Sequence, residues 1–208
     1  MSKLLHLDTS IQTGNSVSRR LSAAIVDRLK ATNQNLEITY RDLAAHPLPH
    51  LTEPVFASFH STDVSALTPA QQEDVAESAK VLAEFLAADT VVIGVAFYNY
   101  SIPSSLKVWI DRVVVAGKTF NYSPNGPIGH AGGTRVIVAI ARAGVFADGT
   151  PFAHREHAER YLRDIFALVG IDDLDVVVAE GLAFGPEASA AAVQEALNSI
   201  GAISATAA

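Results

Sequence analysis

The chain has 208 residues, 49% of them apolar, with no cysteine and a formal charge of −7. That is enough apolar material for one α/β core, no compositional shift marks a linker, and the missing cysteines exclude a disulfide framework, a thiolate metal site and a cysteine nucleophile. Redox chemistry here therefore requires a borrowed cofactor, and the scattered Lys and Arg form no basic stripe for nucleic acid or an anionic membrane.

The first strand is predicted over residues 3–9, entered directly from Met1-Ser2-Lys3 without a signal-peptide apolar region, so the expected location is cytoplasmic. It ends in DTSIQTGNSVSRRLS, a hydroxyl-rich turn that leads into a helix over 18–29 with Leu21, Ile25 and Leu29 on one face. N–H groups at a helix start carry partial positive charge, and Ser10, Ser16 and Ser18 add hydroxyls, so this turn suits a phosphate monoester. Ordinary capping would need only one of those side chains. The turn has a single glycine and no P-loop lysine, which sets aside both the dinucleotide fingerprint and the nucleoside-triphosphate motif.

A second strand is predicted over 36–41. The stretch 42–67 is then too long and too rich in proline for a plain connector, and is expected to pack over the site or a partner subunit. Thr68, Pro69 and Gln71 form a capped helix start, with Val75, Ala79, Leu82 and Leu86 as the expected apolar stripe. The third strand, 90–96, is part of the longest apolar run, which is far short of a bilayer span. It ends at Phe97, Tyr98, Asn99 and Tyr100. Pro103 then opens a helix bearing Leu106, Ile110 and Val113, with Gly117 as a left-handed stop.

The fourth strand, 135–141, ends at Ala141, Arg142, Ala143 and Gly144. A helix over 155–169, a fifth strand over 174–179, a helix over 187–200 and an Ala-rich tail expected to fray complete the chain. Strands this apolar are covered on both faces, and the βα alternation predicts a doubly wound, five-stranded parallel sheet with helices on both faces. Ligands of such sheets bind at the carboxyl ends of the strands, at the switch point. Three tips converge there, and their aromatic and small residues suit a flat heteroaromatic ring above the phosphate. For the rings the plain alternative is a plug at the sheet edge, and for Arg142 a solvated loop charge.

The segments NSVSRRLS, FYNYSIPSSLKVWIDRVVVAGKTFNYSPNGPIG and AEGLAFGPE resemble those of the FMN-dependent NADH-azoreductases, quinone-reducing homodimers of the flavodoxin-like superfamily. The likeness runs from residue 1 to about residue 200, in matching order. It implies one flavodoxin-like domain over residues 1–208, with the FMN phosphate on Ser10 and on the S-x-S of Ser16, Val17 and Ser18. The ring would lie on Phe97, Tyr98, Asn99 and Tyr100, edged by Ala141, Arg142, Ala143 and Gly144. Ala141 and Ala143 depart from the Ser and Gly usual in that turn, removing a hydroxyl contact and a glycine's freedom.

The resemblance further implies ping-pong transfer from NADH or NADPH to quinones and azo compounds, with no catalytic side chain because the flavin N5 carries the hydride. Phe120 and Tyr122 would wall the substrate pocket, in this subunit or the partner's, or merely pack a dimer interface. A flavodoxin-like electron carrier would share the fold but act on protein partners. A hydrolase would use Ser10 or Ser16 with a histidine base, yet His46, His50, His60, His154 and His157 lie in the long loop or at a helix start.

Overall fold

The computed structural model describes residues 1–61 and 63–203, so residues 204–208 of the Ala-rich tail lie outside the described residues. Five parallel strands form the main sheet: β1 (Lys3–Asp8), β2 (Glu37–Asp42), β3 (Thr90–Ala96), β6 (Arg135–Ala141) and β7 (Leu174–Ala179). Their spatial order is β2-β1-β3-β6-β7. The remaining two strands, β4 (Phe120–Ser123) and β5 (Gly126–Gly129), pair as an antiparallel hairpin outside that sheet.

Every residue of β3 is buried, as the unbroken apolar run predicts for a strand covered on both faces. On one face α1 (Val17–Thr32) and α6 (Pro186–Ser199) enclose Leu21, Ile25, Val92 and Ile137. On the other, α3 (Pro69–Ala87), α4 (Ser104–Val113) and α5 (Ala158–Leu168) enclose Val81, Phe85, Trp109 and Phe166. The chain winds outward from β1 in one direction to β2 and in the other through β3, which puts the switch point between β1 and β3. Register fixes the tips: Asp8 lies opposite Gly94, and Ala96 opposite Ala141.

Helix α3 begins with the expected capping box of Thr68 and Gln71, but its buried face is rotated from the predicted stripe. Ser78, Val81, Leu82 and Phe85 face inward while Ala79 and Leu86 are exposed. The helix carries more apolar residues than one stripe can bury, and the larger ring decides: Phe85 meets Trp109 edge to face, with centroids 5.7 Å apart.

Gly117 is left-handed at φ +81°, yet it lies beyond the end of α4. The Thr119 hydroxyl closes that helix instead, donating to the Val113 carbonyl at 2.8 Å and accepting from the Val115 N–H at 2.9 Å. Gly117 turns the chain toward the β4–β5 hairpin, its N–H donating to the Phe120 carbonyl at 2.8 Å. The described part of the stretch 42–67, which leaves out residue 62, contains α2 (Glu53–Ser58), packs α2 on α3 and sets Leu48 and Phe59 against the core, and it lines no part of the cleft at the strand tips. The fully buried Arg112 clamps it, donating to the Pro49 carbonyl at 2.6 Å and pairing with Asp74 at 2.9 Å.

Candidate functional site

The tips of β1, β3, β6 and β7 enclose a cleft of about 430 Å³ at the switch point. Ser10, Ser16, Val17 and Ser18 form one wall, and Phe97, Tyr98, Ala141 and Ala143 the other. The structure therefore brings together eight of the residues singled out in the sequence.

The first wall is polar. Ser16 caps α1, accepting from the Arg19 N–H at 3.4 Å, and its hydroxyl lies 3.2 Å from that of Ser18. The first turn of α1 holds no acidic residue, so its partial positive charge is not offset. Arg19 keeps the preceding turn in place from behind: Nη2 donates to the Ser10 carbonyl at 2.7 Å and Nε to the Gln12 carbonyl at 2.9 Å. A bidentate pair with Asp42 at 2.6 and 2.8 Å anchors the guanidinium, and Asp8 lies 3.5 Å away.

The Arg19 hydrogen bond is the main reason the Asp42 carboxyl falls to about 2, and the same bond raises the arginine. Tyr40, whose hydroxyl donates to Asp8 at 3.0 Å, is pushed up to about 12, first by desolvation and then by the Asp8 charge. Gly94 makes room for this cluster, since a Cβ there would meet Asp8 Oδ1 at 2.5 Å and Ser22 Oγ at 2.9 Å.

The second wall is a strained turn. Where β3 stops, Tyr98 and Ser101 exchange backbone hydrogen bonds at 3.1 and 3.0 Å across Asn99 and Tyr100, at φ 49° and 69°. Two consecutive left-handed residues define the tightest hairpin turn, and outside glycine that conformation costs of order 1–3 kcal/mol. Strain of this size persists at binding sites where surrounding contacts fix the chain. Pro103 then serves as the N-cap of α4. The N–H groups of Asn99, Ala143 and Gly144 have no acceptor among the described residues; of the three, Ala143 lines this cleft. Ala143 adopts no left-handed conformation, so its backbone draws on no glycine-specific freedom. The Tyr98 hydroxyl joins the walls, accepting from the Ile11 N–H at 3.3 Å and lying 3.4 Å from Ser10 Oγ.

Arg142, implied at the ring's edge, does not line the first cleft, and neither is it the solvated loop charge of the plain alternative. It is only 3% exposed and lies behind the wall, near Glu156 and Glu159 at 3.2 Å and Glu180 at 3.5 Å. Its guanidinium sits 5.5 Å from the centroid of the Phe97 ring. Sequence spacing gave no sign of this, because the three carboxylates come from α5, its approach and the end of β7.

Tyr100 and Gly144 open instead onto an adjoining apolar cleft of about 460 Å³ with Phe146, Phe152, Arg155 and Phe184. Phe97 divides the two clefts, packing on Phe146 with centroids 4.9 Å apart. Phe120 is buried against the 80%-exposed Tyr122, and neither lines either cleft within this chain.

Sequence reasoning missed Gln12, Asn15, Leu182, Ala183 and Ser189, which also line the first cleft. The available signal was AEGLAFGPE, whose Gly181 and Gly185 take φ +75° and +106° as the chain folds back toward α6. It also missed His6, which lies 3.0 Å from Ser22 Oγ beside Asp8. That Ser-His-Asp set is no hydrolytic triad, since Ser22 is 0% exposed. No histidine hydrogen-bonds Ser10 or Ser16 among the described residues. No helix of the described residues is long and apolar enough to cross a membrane.

Residues 2–203 match the family model described as the flavodoxin-like fold. The chain is 51% identical over 203 residues to the FMN-dependent NADH:quinone oxidoreductase of Methylorubrum extorquens (strain PA1), covering 98% of this chain and 99% of that protein. It is also 51% identical to the protein of that name from Xanthomonas campestris pv. campestris, covering 97% and 98% of the two chains. Among solved structures, an azoreductase from Bacillus anthracis str. Sterne superimposes with a TM-score of 0.87 at 29% identity, covering 98% of both chains. An FMN-dependent NADH-azoreductase from Bacillus anthracis str. Ames Ancestor, solved in complex with FMN, gives 0.84 at 25% identity over 98% and 99% of the chains. The chain belongs to the flavodoxin-like family whose members carry the names FMN-dependent NADH:quinone oxidoreductase and azoreductase.

Proposed function

We propose that this protein is an FMN-dependent oxidoreductase that passes electrons from NADH or NADPH to quinones and azo compounds. One observation carries the reading: a hydroxyl-rich helix start and an aromatic strand tip face each other across a single cleft at the switch point. The residues present fit the cofactor. Ser10, Ser16 and Ser18 and the unpaired N–H groups at the start of α1 are donors for a phosphate dianion, with no carboxylate in that first turn to oppose it. Phe97 and Tyr98 offer apolar faces to a flat ring, and the N–H group of Ala143, which lines the same cleft, suits its carbonyl edge.

FMN, when bound, supplies the centre that accepts hydride from the dinucleotide and releases electrons to the acceptor. The chain's own residues do the rest. Donors fixed in the ring wall favour negative charge at the ring's edge without reorganising. The apolar lining excludes water, and Arg19 keeps the Ser10 and Gln12 carbonyls from swinging toward the bound anion. Because donor and acceptor both need the face beside this wall, they take turns, which gives ping-pong kinetics.

The reading includes a cytoplasmic homodimer. Exposed Tyr122 and Ile128 on the β4–β5 hairpin, and Leu51 and Phe56 in the stretch 42–67, give apolar surface for a partner subunit to cover. Sedimentation at low concentration should show a dimer. The functional test is initial-rate oxidation of NADH and NADPH against quinones and azo dyes with FMN supplied: parallel double-reciprocal lines support the proposal. Intersecting lines would remove the ping-pong order, and failure to bind FMN would remove the whole reading.

A further inference from the structure

We infer that Arg155 makes the second cleft selective for flat aromatic acceptors that carry an acid group, such as a sulfonate or carboxylate. The inference rests on the oxidoreductase reading and adds a specificity determinant to it. Arg155 stands at the cleft between two rings, 5.6 Å from the Tyr100 centroid and 5.1 Å from that of Phe152. Its Nη1 donates to the Tyr100 hydroxyl at 3.2 Å. Arg155 is exposed, and these contacts draw its guanidinium toward the cleft without neutralising it.

The nearby carboxylates are engaged elsewhere. Glu156 accepts from the first N–H groups of α5 and pairs with Arg142, while Asp148 lies 4.0 Å from Arg160. No carboxylate lines this cleft among the described residues, and none pairs with Arg155. An unneutralised cation beside an apolar slot has one complementary ligand class: a planar ring for the slot and an anion for the guanidinium.

The slot adjoins the proposed flavin cleft. Phe97 lines the first cleft and packs on Phe146 and Tyr100 of the second. Ala143 and Gly144 divide between them in the same way, as do Ala183 and Phe184. A ring held by Phe152 and Phe184 would therefore have its reducible end beside the Phe97 wall.

The test separates charge from ring. Calorimetric titration of the FMN-loaded protein should show 1-naphthalenesulfonate binding more tightly than 2-naphthol, and R155Q should shrink that preference about fivefold, the scale of a partly exposed ion pair. R155K should retain part of it, keeping the charge but losing the planar stack. In steady state, the ratio of kcat/KM for anthraquinone-2-sulfonate to that for 1,4-naphthoquinone should fall by a similar factor in R155Q. Equal binding of the two probes by the parent, or a preference that survives in R155Q, overturns the inference. So does a raised KM for NADH with the acceptor ratio intact, which would assign the arginine to the donor's pyrophosphate. Turnover of uncharged naphthoquinone by the parent reports separately on the oxidoreductase reading: if that is absent while the sulfonate preference still follows Arg155, the anion site stands and the redox reading falls.

Discussion

The two walls of the cleft are built on neighbouring strands, β1 for one and β3 with β6 for the other, yet different means hold them. Charges fix the turn after β1: Arg19, tied to Asp42, grips two carbonyls from behind and leaves hydroxyls and N–H groups facing the cleft. Among the described residues the tip after β3 has no ion pair of its own, and is fixed by a two-residue turn, by ring packing on Phe146 and by the guanidinium groups of Arg142 and Arg155 beside its rings. The difference follows from what each wall meets. An anion requires that the backbone's negative ends be turned away, which a rear cation enforces, whereas a flat ring requires apolar faces and a few unpaired donors at its edge.

Loss of the anion donors alone should have the largest effect. Replacing Ser16 and Ser18 together with Ala should weaken FMN about 100-fold, from two hydrogen bonds to a charged group at roughly 1.5 kcal/mol each, and leave riboflavin nearly as it was. Flavin fluorescence titrations read both. Equal losses for the two flavins would mean that the turn after β1 does not bind phosphate.

Next in size is the rear support. Asp42→Asn should lower unfolding stability by about 2 kcal/mol at neutral pH, since it leaves Arg19 part-buried without its main partner, and should weaken FMN as the Ser10 and Gln12 carbonyls come free. The pH dependence sharpens the point. The Asp42 carboxyl is held down to about 2 in the fold, against about 3.9 in an unfolded chain, so its contribution is complete above about pH 4 and is lost as pH falls from 4 toward 2. Denaturant midpoints across that window should fall less steeply in Asp42→Asn than in the parent. Parallel curves would show that this pair does not anchor the turn.

A smaller effect is expected at the other wall. Asn99→Val should cost about 1 kcal/mol, because a β-branched side chain disfavours the left-handed conformation at φ 49°, while Asn99→Gly should be close to neutral. If Gly and Val behave alike in thermal unfolding, the strain assigned to this turn is absent.

The sheet was legible because its signals are local. The strands over 90–96, 135–141 and 174–179 match to the residue, since unbroken Val and Ile runs leave no other periodicity to compete. The Thr68 capping box was equally plain, being written within four residues. What failed depends on contacts between distant segments. The buried face of α3 was settled by Phe85 meeting Trp109, and the surroundings of Arg142 by carboxylates between 14 and 38 positions away. At the site, hydroxyls and rings could be found from residue type and strand position. Arg19 was passed over because its role lies in gripping backbone carbonyls, which no residue pattern displays. Strands β4 and β5 escaped because a four-residue strand with Gly and Pro reads as loop until a partner strand is in view.

The finest test sits where the walls touch. Tyr98 belongs to the ring wall, but its hydroxyl accepts the Ile11 N–H at 3.3 Å and lies 3.4 Å from Ser10 Oγ, both on the anion wall. These contacts are long, so each is worth little alone; together they tie the strained turn to the charged one. Tyr98→Phe keeps the ring and removes only that tie. It should weaken FMN about threefold, or about 0.65 kcal/mol, with flavin emission still quenched because the apolar face remains. Riboflavin should lose affinity by the same factor, since the tie positions the walls rather than touching the phosphate. A loss confined to FMN would instead place the Tyr98 hydroxyl among the phosphate donors, and the division into a charged wall and an apolar wall would have to be redrawn at this residue.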